Sequence, residues 1–222
     1  MNRVAVTGMG IIDTLGASPT ECFDSMLDTS YINPPLFSHS QLERHKTQPV
    51  FPVDKSKLIL PELKPTILKN LEPCNLFALH TIEHALEQSN VPYSSNVGLI
   101  GSSITLGNYY AMDTWPTLHS ETGRARPKLL LNCAKDYMSG FLSQHYGYKG
   151  LNTSIYASCA TSMFSIDYAM RYVDEYDYVV CTISEHGVNE TDMSFFKQIG
   201  AMGTKSCPFD DDRDGFIMGE GS

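Results

Sequence analysis

In the stretch IYASCATSMF, residues 155–164, one thiol stands among small side chains where an apolar run gives way to a helical pattern. A cysteine between the end of a strand and the start of a helix projects from a sheet edge and meets unpaired backbone N–H groups. The positive end of the helix dipole favours a thiolate there, so Cys159 has the placement of a nucleophile. Ala157, Ser158, Ala160, Thr161 and Ser162 are small enough for a substrate to approach. The other reading is a buried, inert cysteine, the commoner fate of free thiols. The residues alone leave both readings open.

Three further patterns could carry chemistry, and each has a plainer reading. VTGMG (6–10) has the first two glycines of a dinucleotide loop, but Asp13 stands where G-x-G-x-x-G needs its third, so a tight turn after a strand is expected. HTIEH (80–84) has the H-x-x-E-H spacing that can set two imidazoles around zinc, yet no third ligand follows. Two partly buried histidines on an amphipathic helix are expected, and no metal. DDDRDG (210–215) offers Asp210, Asp212, Asp214 and Gly215 in calcium-loop register, but Gly221 occupies the position of the bidentate glutamate, which argues against calcium.

The elements that must position Cys159 follow from periodicity. Residues 3–12 read as a buried strand entering a glycine turn. Residues 18–27 read as a helix with Ser18 as N-cap, Pro19 in the first turn and Glu21 completing a capping box. Residues 30–73 are rich in proline and polar residues, an irregular excursion, and 107–135 form a second one. Helices are expected over 75–90, 133–146, 160–173 and 195–202, and strands over 97–103, 153–158 and 176–184. Met163, Ile166, Met170 and Val173 recur at helical spacing after the cysteine. Strand, helix and strand alternate, so the expected class is α/β with a largely parallel sheet.

Bulk properties narrow the function classes. The chain has 222 residues, 42% hydrophobic and 18% charged, which suits a folded protein with a substantial core. A formal charge of −9 argues against nucleic-acid binding, which demands a basic face. The start, MNRVAVTGMGII, has no basic segment before a long apolar one, and no run approaches 18 apolar residues. A soluble, cytoplasmic protein without a membrane span is expected. Its six scattered cysteines are expected as free thiols.

Taken in order, RVAVTGMGI, GSSITLG (101–107), SIYASCATSMFSIDYA, the acidic residue of CTISE and CPFDDDRDGFIMGEGS resemble the β-ketoacyl-acyl carrier protein synthases, condensing enzymes of the thiolase superfamily. The final segment is the most specific. The likeness runs from residue 3 to the last and is weakest over 28–75 and 108–132.

The resemblance implies the N-terminal half of a thiolase-like fold, a single domain over 1–222 with a mostly parallel mixed sheet and helices on both faces. It places Cys159 on the acyl-accepting nucleophile, whose backbone N–H supplies one oxyanion donor. Ile104 falls on the pocket residue that limits acyl-chain entry, with Ser162 nearby. Glu185 falls on the acidic residue of a G-G-A-E stretch and is read as structural. Arg124, Arg126 and Lys128 lie about where such enzymes contact an acidic carrier protein, and a solvated surface loop is the plainer reading of each.

The implied activity is acyl transfer to the cysteine followed by decarboxylative Claisen condensation with malonyl-carrier, in fatty acid or polyketide synthesis, with no cofactor. The implied partners are acyl carrier protein and a C-terminal ketosynthase half or a full ketosynthase, in a homo- or hetero-oligomer such as a dimer. The chain departs from the family at Ser162, where a small glycine is usual, at Thr182 and Ile183 before Glu185, and at Cys207 before Pro-Phe-Asp. The family's two histidines, its lysine and the glycine-rich loop giving the second oxyanion donor lie in its other half. A non-catalytic, chain-length-factor-like or scaffold partner of a complete ketosynthase is the competing expectation.

Overall fold

The computed structural model describes residues 3–28, 34–40, 42–108 and 131–222. The chain divides into two compact units: Met1–Gly10, Ile59–Glu185 and Ser222 form one, Ile11–Leu58 and His186–Gly221 the other.

The first unit is built on three parallel strands. In chain order the strands are β1 (Val50–Phe51), β2 (Val97–Ser102), β3 (Asn152–Thr153), β4 (Tyr178–Ile183), β5 (Glu185–His186) and β6 (Met218–Gly221). β2 is central, in the order β3-β2-β4. Leu99 pairs with Asn152 on one side, and Val97 through Ser102 pair with Tyr178 through Ile183 on the other. Every residue of β2 is buried, as its unbroken apolar composition requires of a strand covered on both faces.

The covering helices are α3 (Pro73–Ser89), α4 (Tyr137–Tyr146) and α5 (Thr161–Tyr172). Tyr178 and Val180 pack into the cluster that Leu79 and Ile82 of α3, Met138 and Leu142 of α4, and Leu99 form. Gly101 lies on the same face, where a Cβ would stand 3.1 Å from the Ser139 Cα. On the opposite face the Cys181 thiol donates to the Ser165 carbonyl of α5. Helices therefore cover both faces of a parallel sheet, the thiolase-like arrangement. α3 ends at Asn90, left-handed at φ 50°, with Pro92 beyond it.

The second unit holds α1 (Pro19–Leu27), α6 (Glu190–Gln198) and a sheet of order β1-β6-β5 in which Val50 pairs in parallel with Met218. α1 starts as expected: the Ser18 hydroxyl accepts from the Glu21 N–H at 3.2 Å, and the Glu21 carboxylate accepts from the Ala17 N–H. Val50, Val188, Met193 and Met218 make its core. Beside that core, His45 is fully buried, with Nδ1 2.9 Å from the Glu190 carboxylate and Nε2 3.3 Å from the Ser194 hydroxyl.

Several elements differ from the sequence expectation. Residues 3–12 form no strand; Val4 and Val6 are exposed, and the two glycines serve close packing rather than a turn. A Cβ on Gly8 would lie 1.9 Å from the Ala85 carbonyl oxygen, and one on Gly10 would lie 2.0 Å from that of Thr81, so the segment rests directly on the α3 backbone. The irregular stretch 30–73 contains β1, two short 3-10 turns and a short helix α2 (Pro65–Leu68). α4 begins at Tyr137 rather than 133, after tight turns at 131–137. α6 begins five residues before the expected 195, because the Asn189 side chain accepts from the Thr191 and Asp192 N–H groups. No helix among the described residues is long and apolar enough to cross a membrane.

Candidate functional site

Parallel α/β sheets bind ligands at the carboxyl ends of their strands, where successive connections leave the sheet. Three such ends lie side by side here. β3 leads to the cysteine turn, β2 to the loop 103–107, and β4 to Glu185. The strand registers carry on past the regular elements: Ser154 Oγ donates to the Gly101 carbonyl at 2.6 Å, and the Ile155 N–H donates to Ser102 Oγ at 2.9 Å. On the other side the Ser184 N–H donates to the Ser102 carbonyl.

Cys159 is exposed in a 3-10 turn, Ser158–Ala160, directly before α5. Ser158 is held at φ 50°, a left-handed backbone that non-glycine residues adopt at a cost. Buried Thr161 fastens this turn, its hydroxyl accepting from the Ala157 N–H at 3.0 Å and donating to the Ser158 carbonyl at 2.7 Å. The thiol thus stands on a sharp, internally tied corner at the N-terminus of a twelve-residue helix.

Among the other cysteines, Cys22 and Cys74 are buried and Cys133 is exposed. Burial, helped by the Asp13 carboxylate, pushes the Cys22 thiol up to about 12. Burial alone takes Cys181 to about 11 and, with Glu72, raises Cys74 well above the ordinary range. Desolvation by its surroundings and the Glu72 carboxylate raise the exposed Cys133 as well. These thiols are poor nucleophiles near neutrality, because the thiolate is the reacting form.

The loop beside the cysteine turn is held from two sides. Glu185 accepts from the Ile104 N–H at 2.8 Å, the Thr105 N–H at 3.0 Å, the Thr105 hydroxyl at 2.8 Å and the Ser103 hydroxyl at 3.4 Å. The Lys135 ammonium donates to the carbonyls of Ile104 at 2.6 Å and Leu106 at 2.7 Å. Buried Glu72 takes the Gly107 N–H at 2.9 Å. Within 103–107 only Ile104 is exposed, at 40%. Tyr156 joins the two halves of the site, its hydroxyl donating to the Lys135 carbonyl. Sequence reasoning missed Lys135 and Glu72; parallel-strand register could have flagged the neighbours of Ile104, but no spacing pattern points to Lys135.

Ser162 is exposed in the first turn of α5. Arg124, Arg126 and Lys128 lie outside the described residues. The apolar stripe of α5 does not face the sheet. Met163, Phe164, Ile166 and Met170 are 71%, 56%, 50% and 40% exposed, while Thr161 and Ser165 are the buried residues of the helix. An open cleft of about 600 Å³ runs between β3 and α5, bordered by Phe164 and the Asp167–Arg171 ion pair; the Cys159 thiol does not line it.

The remaining motifs are engaged in structure. The His80 and His84 rings lie 4.4 Å apart on α3, tilted by 41°, with the Ile59 N–H donating to His80 Nδ1. No group of three metal-ligating side chains occurs among the described residues. Asp214 accepts from the Thr204 N–H and hydroxyl, and Asp210 from the Asp212 N–H, so these carboxylates tie turns.

Comparison with known proteins agrees with this architecture. A family model described as beta-ketoacyl synthase, N-terminal domain, matches residues 1–222. A mitochondrial 3-oxoacyl-[acyl-carrier-protein] synthase of Arabidopsis thaliana is 37% identical over 106 residues, covering 43% of this chain and 22% of that protein. The 3-oxoacyl-[acyl-carrier-protein] synthase 2 of Coxiella burnetii is 24% identical, covering 99% of this chain and 56% of that one. A beta-ketoacyl synthase from Burkholderia phymatum superposes with a TM-score of 0.78 at 17% identity, over 100% of this chain and 58% of that one. The ishigamide ketosynthase/chain length factor gives 0.76 at 17% identity, over 98% and 56%. The chain spans about half the length, or less, of these relatives. Matched by the family model along its whole length, and carrying its thiol at the carboxyl edge of a thiolase-like sheet, this chain belongs to the beta-ketoacyl synthases, as their N-terminal domain.

Proposed function

We propose that this chain is the acyl-accepting half of a ketosynthase. The observation that carries the reading is the placement of Cys159: an exposed thiol on a strained, tied corner, at a helix N-terminus. The thiolate attacks the carbonyl carbon of an acyl thioester and the oxygen takes up the negative charge. The Cys159 backbone N–H supplies one donor to that oxyanion, and the second comes from the complementary half. Collapse expels the carrier thiolate, which takes a proton to leave as the free thiol, and the acyl group stays on the Cys159 sulfur. The acyl donor is a thioester of carrier protein or coenzyme A.

Decarboxylation of a malonyl thioester and Claisen condensation need further donors on the extender carbonyl. Five of the described histidines serve elsewhere: His80 and His84 lie against each other on α3, His145 packs against Phe141 on α4, and His45 and His186 pair with Glu190 and Glu220. Those donors come from a complementary half, a further segment or a full ketosynthase, in contact with this domain. The outward apolar stripe of α5 supports such contact. The second reading, a non-catalytic partner resembling a chain length factor, is favoured by Ser162, which adds a hydroxyl three residues after the cysteine where the family has glycine.

Intact mass spectrometry after incubation with acyl-carrier protein or acyl-CoA, with and without a complementary ketosynthase, separates the two. An added acyl mass mapped to Cys159 and lost in Cys159→Ala is expected. No adduct on Cys159 in either condition would overturn the catalytic reading and leave the partner role.

A further inference from the structure

The second compact unit holds a line of polar groups that the chemistry at Cys159 does not use. His45 ends the 3-10 turn Glu43–His45 and is wholly buried. Its Nδ1 stands 2.9 Å from the Glu190 carboxylate and its Nε2 3.3 Å from the Ser194 hydroxyl. Glu190 and Ser194 are four residues apart on α6, so one helix face presents an acid and an alcohol to the two nitrogens of one ring.

The direction of each bond follows from what each group can do. A carboxylate only accepts, so Nδ1 carries the ring proton and Nε2 is left as a base. A guanidinium only donates: Arg44 gives to Ser194 Oγ at 3.0 Å, which leaves the hydroxyl proton to point at Nε2. The other Glu190 oxygen accepts from the Ser40 hydroxyl at 2.6 Å, and the Lys197 ammonium donates to the Arg44 carbonyl at 2.6 Å. Acid and turn are both tied down. Exposure is graded along the line: His45 is buried, Ser194 half-buried and Arg44 exposed. The base is shielded from water while the oxygen it serves reaches the surface.

We propose that Ser194, His45 and Glu190 form a second nucleophilic site, which takes the acyl group of small activated esters independently of Cys159. Ser194 Oγ attacks the ester carbonyl carbon as its proton passes to His45 Nε2. The carbonyl oxygen takes up the negative charge beside the Arg44 guanidinium; the Ser194 N–H is spent inside α6 and gives no help. Collapse breaks the bond to the alcohol oxygen, which leaves with the proton from Nε2. Water, deprotonated by the same nitrogen, then releases the carboxylic acid and restores the hydroxyl. Glu190 is a positioning residue: it holds the ring in the tautomer with a bare Nε2 and takes no part in bond making.

The test uses the full chain carrying Cys159→Ala, with p-nitrophenyl acetate and phenylmethylsulfonyl fluoride as probes. The fluoride reagent forms an Oγ–S bond and expels fluoride, leaving an adduct that accumulates. Peptide mapping is expected to find acetyl and phenylmethylsulfonyl groups on Ser194, and Ser194→Ala to lose both. His45→Gln and Glu190→Gln are expected to slow sulfonylation of Ser194 by about a hundredfold, the lower scale of general-base assistance. Nitrogen chemical shifts of the His45 ring report a protonated Nδ1 and a bare Nε2, and Glu190→Gln shifts the ring towards the other tautomer.

A network that only fastens the turn to α6 would show lowered melting temperatures in these variants and no adduct on Ser194 in any chain. Absence of that adduct overturns the proposal, as does labelling that His45→Gln leaves unchanged. If His45→Gln fails to fold, Glu190→Gln decides, and an unchanged rate with an unchanged tautomer overturns the proposal. Acyl adducts on Cys159 are scored in the unsubstituted chain, so the acyl-accepting reading stands or falls separately.

Discussion

Ser158 shows how much of the site is set by a single backbone angle. Its φ of 50° turns the chain sharply enough for the Cys159 side chain to leave the sheet, and the Thr161 hydroxyl locks the corner. A left-handed residue with a Cβ costs roughly 1 kcal/mol. Ser158→Gly is therefore expected to stabilise the domain by up to about that amount, since glycine adopts the angle without the penalty. Ser158→Val, with a β-branched side chain in the same conformation, is expected to destabilise it by at least as much. Urea unfolding monitored by circular dichroism checks both, and equal midpoints for the two variants would show that the turn is not strained. Nothing in SCAT announces this angle: serine is not a residue one reads as left-handed, so the sequence singles out the cysteine turn but not its strain.

The elements were legible in proportion to how much of their pattern is local. β2, α1 and α3 each carry their own signals, an unbroken apolar run, a capping box and a helical period. The start of α6 was missed although Asn189 followed by Glu190 and Asp192 is an N-terminal signature, because the apolar residues that drew attention begin later, at Phe195. Residues 3–12 were misread for the opposite reason: their alternation is strand-like, but pairing is a tertiary property, and Gly8 and Gly10 instead let the segment lie on α3. Lys135 was invisible because its two acceptors are backbone carbonyls some thirty residues away.

α4 carries the pH sensitivity that belongs to this scale. His145 is partly buried against Phe141 and Tyr146, and burial lowers its pKa below the ordinary 6.5, with Glu83 opposing. The unfolded chain then binds the proton more readily than the folded one, so stability is full above about pH 6.5 and falls as the pH drops through that value. His145→Gln is expected to flatten the decline of melting temperature between pH 7 and pH 5. An undiminished decline would assign the sensitivity to other groups.

For the whole molecule, the exposed stripe of Met163, Phe164, Ile166 and Met170 is the largest departure from what periodicity leads one to expect. The spacing is that of a core-facing helix, and helical it is, but the sheet is served by Thr161 and Ser165 instead. A contiguous apolar face of this kind marks an interaction surface or an aggregation hazard. Phe164→Glu combined with Met163→Lys is expected to lower self-association of the isolated chain in sedimentation velocity and to leave its unfolding midpoint within about 0.5 kcal/mol of wild type. A large loss of stability would mean that the stripe is already covered in the folded chain.

The same helix divides its residues between two masters. Changes at Thr161 and Ser165 are judged by the fold of this domain, whereas changes at Met163, Phe164, Ile166 and Met170 escape that judgement and answer only to whatever lies against them. A mutational scan scored on abundance would find the outer four permissive. Scored on binding to the complementary half proposed above, the same four positions are expected to become intolerant, and the difference between the two maps would outline the footprint of that half.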